Sequence, residues 1–243
     1  MALIRRGAMV LLAAVAPLAC FAYGPQTVKR MVTDTVLLAP AALHSAVGAY
    51  RTDLDQGVED ALKQNGRDSA DALISILESE AQRIPGLARQ QADFSRIAYH
   101  FGYAAGLVYL LNDPLIRSAD PKVAAIREDY SAYIERKLPL LIISFDGYEH
   151  PEMGADLGAY FQARQSSLQR YRDAILFCYY PHGELVSSMT FDNRSNAFGA
   201  AQVILSHSVS DAAKLWYRLW KSMDGDLSAT PYYHYGKDRE QTP

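Results

Sequence analysis

His207 and Asp211 stand one helical turn apart in His207-Ser208-Val209-Ser210-Asp211, the spacing that lets an imidazole and a carboxylate address one metal ion from a shared helix face. Two further donors can be added from elsewhere in the chain. Tyr23, followed by Gly24-Pro25 and a helix, offers an α-amine and a carbonyl for chelation if it becomes the first residue after removal of a leader. His100 lies near the start of a long apolar helix. Tyr23, His100, His207 and Asp211 would give zinc three or four nitrogen and oxygen donors, provided that their helices converge. Plainer readings compete: His100 as a hydrogen-bonded core histidine, and His207 with Asp211 as a local hydrogen-bonded pair.

Other polar groupings carry less. Asp146-Gly147-Tyr148-Glu149-His150 places two carboxylates and a histidine in one loop, as acid/base chemistry requires, but such a loop is equally a solvated turn. His182-Gly183-Glu184 has the same ambiguity. Cys178 follows an apolar run with no base nearby, which suits a buried, inert thiol. Asn193-Arg194-Ser195 is a formal glycosylation sequon. No Gly-x-Ser-x-Gly elbow and no phosphate-cradling glycine loop occurs. The aromatic group Tyr232, Tyr233, His234 and Tyr235 either stacks on a ligand or drapes over the domain.

The elements that must position these groups are helical throughout. Residues 1–22 read as a secretory leader, with Arg5 and Arg6, an apolar run from Ala8 to Ala19 and small residues before a cleavage point after Ala22. That run is shorter than the about 20 apolar residues that span a bilayer. A rival reading of Pro17-Leu18-Ala19-Cys20 makes Cys20 a lipid anchor. Loss of Arg5 and Arg6 takes the formal charge from -3 to -5, and acidic and basic residues are mixed, so no nucleic-acid surface is indicated. With Cys20 removed, Cys178 has no partner for an intrachain disulfide, and packing must supply the stability.

Periodicity predicts helices over 26–38, 41–47, 50–63, 69–84, 87–111, 121–137, 156–177 and 193–223, with breaks at Asn65-Gly66, Pro85-Gly86 and Asn112-Asp113-Pro114. The 87–111 segment is the most apolar, and Gly102, Ala105 and Gly106 allow another helix to approach it closely. It is expected to be central. Trp216 and Trp220 are expected to lock the last helix into the core. The organisation is a leader over 1–22, one helical domain over 23–225 and a polar tail over 226–243.

Ala22-Tyr23-Gly24-Pro25-Gln26-Thr27, Tyr99-His100-Phe101 and Ala213-Lys214-Leu215-Trp216-Tyr217-Arg218-Leu219-Trp220, in this order of helices, resemble the zinc-dependent phospholipase C and single-strand nuclease superfamily. The resemblance implies an all-α, multi-helix phospholipase C/nuclease-like bundle. It also implies a secreted or periplasmic protein and a zinc cluster hydrolysing phosphoric esters. Several of the family's ligand positions are altered: Val28 stands where a histidine follows the opening, Ala104 where an aspartate follows His100 by four, and Leu110 where a further histidine is expected. The altered positions point to a non-catalytic member without metal, in a binding or structural role. The alternative is a phosphoesterase with a reduced zinc site at Tyr23, His100, His207 and Asp211. No partner or substrate can be read from the residues.

Overall fold

The computed structural model describes residues 23–116, 118–148 and 151–232, with the side chains of 151 and 152 left aside. The leader, Cys20, Glu149, His150, Tyr233, His234 and Tyr235 lie outside the described residues. Within them the chain is all-α: α1 (Pro25–Leu38), α2 (Ala41–Ala49), α3 (Arg51–Asn65), α4 (Ala70–Arg89), α5 (Phe94–Leu111), α6 (Pro121–Lys137), α7 (Pro151–Ala155), α8 (Leu157–Tyr179) and α9 (Asn196–Ser222). No described helix is long and apolar enough to cross a membrane.

Start signals explain most boundaries. Ser69, Asp93, Asp120, Asp156 and Ser195 each accept a hydrogen bond from a first-turn amide of the helix they precede. At α1 the cap comes from a distance. Gly24 offers no side chain, and Glu135 of α6 accepts from the amides of Gln26 (2.7 Å) and Thr27 (3.4 Å). A Cβ at Gly24 would sit 2.2 Å from the Glu135 carboxyl carbon, so glycine is what admits the carboxylate to the helix N-terminus.

The break expected at Pro85-Gly86 is displaced. α4 runs through Pro85 to Arg89, because Ile84, Pro85 and Leu87 are all buried and their packing offsets the missing amide hydrogen bond. The chain turns instead at Gln90 to Ala92, where Gln91 takes a φ of 53° and Asp93 caps the next helix. The expected helix over 87–111 is therefore the end of α4 followed by α5.

α5 is central, with Phe101, Ala104, Ala105, Leu107, Val108, Tyr109 and Leu111 all excluded from solvent. Its tightest neighbour is α3. A Cβ on Gly102 would lie 2.0 Å from the Leu54 carbonyl oxygen, and one on Gly57 would lie 2.0 Å from the Tyr99 carbonyl oxygen. Gly106 faces Ala61 and Val58 in the same way, 2.7 Å and 2.9 Å from their nearest atoms. Backbone meets backbone across this seam, as only glycine on both helices permits.

α9 lies along α1, α5 and α8. Trp216 is wholly buried, donates its indole N–H to the Phe101 carbonyl at 3.0 Å and meets the Phe101 ring edge-on. Trp220 is partly exposed and donates to the Asp226 carbonyl. The chain after α9 is held at several points up to Tyr232: Ala41 donates to the Ala229 carbonyl, Thr230 is buried, and the Tyr232 ring packs beside Phe145.

Candidate functional site

The metal donors expected from the sequence fall on three parts of the chain: Tyr23 before α1, His100 on α5, and His207 with Asp211 on α9. Tyr23, 3% exposed, packs at the start of α1 close to Tyr130. His100 on α5 bonds through Nδ1 to Oε2 of Glu80 on α4 at 2.7 Å. His207 and Asp211 share one face of α9 with different partners. Among the described residues no group of three or more His, Cys, Asp or Glu side chains lies close enough to hold a metal ion.

Asp211 sits at the heart of a buried polar network. Its Oδ1 accepts from the Tyr160 hydroxyl at 2.5 Å and from Arg164 Nη2 at 3.0 Å, while Oδ2 accepts from Arg164 Nε and Asn112 Nδ2, both at 3.1 Å. The guanidinium grips the carboxylate in a two-pronged ion pair, the strong geometry for this pairing. Burial, then the Asp211 charge, raises the Tyr160 phenol far above its ordinary range, so it remains a donor. The donor set does not suit a zinc ligand, because four protein donors already occupy the oxygens and a guanidinium stands where a cation would.

A strap over residues 141–148 is tied to α9 beside this network. α9 holds it through side chains four residues apart, a spacing that keeps them on one face. Ser206 Oγ accepts from the Ser144 amide at 3.0 Å, Ser210 donates to the Ser144 carbonyl at 3.3 Å, and buried Lys214 pairs with Asp146 at 2.7 Å. Asp146 is thereby the strap's anchor to a buried lysine. Tyr148 bonds to the Leu38 carbonyl and packs on Tyr217.

His207 lies beside these charges. Burial, then Arg164, lowers its pKa below the ordinary value of 6.5, with Asp211 and Asp146 opposing and Lys214 adding to the effect. A histidine with a depressed folded pKa stays neutral in the native state while the unfolded chain takes up the proton first. Its contribution to stability is therefore full above pH 6.5 and is lost as pH falls through that value towards the folded pKa. Unfolding midpoints of the wild type and His207→Gln are expected to converge as pH drops from 7.5 to 5. Parallel curves would remove this role.

The second place is an open cleft of about 490 Å³ between α4, α5 and the end of α3, with His100 on its wall. Glu80 is only 3% exposed and joins two basic groups: Oε2 meets His100, and Oε1 pairs with Arg83 at 2.9 Å. The α3–α5 seam supplies the rest. Tyr99 donates to Asp60 at 3.0 Å, and burial, then that bond, pushes its pKa up to about 12. Tyr103 accepts from Asn65 at 2.8 Å and donates to Gln64 Oε1 at 3.4 Å.

The remaining candidates lie apart from both places. Cys178 Sγ accepts from the Ala197 amide at 3.3 Å. His182 and Glu184 are exposed on a turn where Gly183 takes a φ of 87°. Ser195 of the sequon caps α9, and Asn193 accepts from Lys137 at 2.8 Å. Sequence reading missed Glu80, Arg83, Arg164 and Lys214. The available signals were the Glu80/Arg83 and Asp211/Lys214 pairs three apart, and Tyr160/Arg164 four apart. No family model, curated protein or solved structure matches the chain.

Proposed function

We propose that this chain is a secreted or periplasmic helical binding protein, a non-catalytic and divergent member of the phospholipase C/nuclease-like family that its sequence resembles. The observation carrying the proposal is Asp211: the best carboxylate ligand is bonded to Arg164, Tyr160 and Asn112. His100 is likewise engaged with Glu80, 20 residues away on another helix. An open surface that could serve binding is the cleft beside His100.

Metal analysis of protein from its native compartment, combined with a phosphodiester hydrolysis assay with and without added zinc, tests the reading. The expected result is substoichiometric metal, no zinc-dependent hydrolysis and a thermal midpoint unmoved by chelator. Stoichiometric zinc that disappears in His100→Ala and His207→Ala variants, accompanied by hydrolysis, overturns it in favour of the reduced-site phosphoesterase. The mass of the mature N-terminus tests the processing, with Tyr23 as the expected first residue.

A further inference from the structure

We infer that the α4–α5 cleft is a binding site for a small oxyanion, a carboxylate or phosphate group held between Arg83 and His100. The inference deepens the binding reading above and rests on it for its functional sense. What selects the ligand is the balance of donors and acceptors. The one carboxylate on the cleft wall, Glu80, has both oxygens engaged, one by each basic side chain. Arg83 spends a single bond at Nη1 on Glu80, and its other N–H groups have no partner among the described residues. Its side chain is 51% exposed, at the rim where a solute arrives.

The neutral side chains add to the excess. Gln64 accepts from Tyr103 through Oε1, which leaves its amide N–H groups for the cleft. Ser75 and Ser79 also line it. Asp60, the nearby carboxylate on α3, is engaged by the Tyr99 hydroxyl and by Gln56. A site rich in uncommitted donors and poor in acceptors favours a ligand made of acceptors, and charge-assisted bonds from a guanidinium favour an anionic one.

His100 completes the site. Its Nδ1 is fixed on Glu80, leaving Nε2 as the uncommitted ring nitrogen on the cleft wall. Glu80 fixes the ring through Nδ1, so that Nε2 is the ring nitrogen a ligand lodged in the cleft would meet. Glu80 thus positions both basic side chains and is not itself a contact for the ligand.

The test is a titration of the purified protein with sodium phosphate and, in a separate arm, sodium acetate at constant ionic strength. The readouts are the ring nitrogen signals of His100 and the backbone amides around Ser79. Saturable shifts with phosphate alone assign a phosphate group, and with acetate alone a carboxylate; saturation with both supports the shared chemistry. Arg83→Gln is expected to weaken binding by about tenfold, with partial rescue in Arg83→Lys. Ser79→Ala serves as a second probe should Arg83→Gln disturb the helical circular dichroism. Non-saturating shifts in both arms, or an affinity unchanged in Arg83→Gln and Ser79→Ala, overturn the site. Zinc-dependent hydrolysis would sink the binding reading and leave the titration standing, so the two failures are separable.

Discussion

Gly102→Ala is expected to destabilise the protein by about 3 kcal/mol, the upper part of the usual range for overpacking a close-packed interior. In an unconstrained helix the same change is favourable by about 1 kcal/mol, because alanine loses less backbone entropy. Position decides the sign here. The added methyl would lie 2.0 Å from the Leu54 carbonyl oxygen, an atom fixed in the hydrogen-bond ladder of α3 that cannot swing aside. The two helices must separate along the seam, loosening the contacts of Gly57 and Gly106 as well. Gly86→Ala is the matched control, since a Cβ there meets nothing within 4 Å, and it is expected to stabilise by about 0.5–1 kcal/mol. Urea unfolding followed by circular dichroism checks both. A Gly102→Ala midpoint equal to wild type would mean that the seam is looser than described. The damage should also reach the cleft, because Tyr99–Asp60 and Tyr103–Asn65 bridge the same two helices.

How far the residues foretold this architecture depends on the range of the interaction. Helix starts were readable at Ser69 and Asp120, where the cap lies next to the helix, but not at Asp93, where the expected helix ran on from Leu87 across the cap. The apolar face of α5 and the small residues Gly102 and Gly106 also pointed to a central, closely approached helix. The α1 start was only half readable, since its cap is Glu135, more than 100 residues away, and only Gly24 hints that something must come close. Pro85 misled because local backbone preference argues for a break, whereas burial of Ile84, Pro85 and Leu87 keeps the helix intact. The cleft was hardest to foresee. Glu80 and His100 lie on different helices, and nothing near either residue announces the other. His207 and Asp211 were found by spacing, but spacing carries no information about Arg164, which arrives from α8 to pair with Asp211.

That pairing sets the second large effect. Arg164→Met alone is expected to cost about 3–5 kcal/mol, because Asp211, wholly excluded from solvent, would lose its cation and keep its charge. Lys214 Nζ is 4.0 Å from Asp211 Oδ1 and already pairs with Asp146, so it compensates little. Asp211→Leu alone should cost a similar amount, leaving the Arg164 guanidinium without its carboxylate. Replacing both partners removes the uncompensated charge while preserving much of the volume. The double variant Arg164→Met/Asp211→Leu is therefore expected to be well above the sum of the singles in stability, with a coupling of about 2–3 kcal/mol in a double-mutant cycle. Additive losses would mean that the two side chains act independently despite their two-pronged contact. The cycle also bears on the proposed non-catalytic reading. If Asp211 serves the fold through Arg164, its loss should appear as a stability change that zinc neither restores nor deepens.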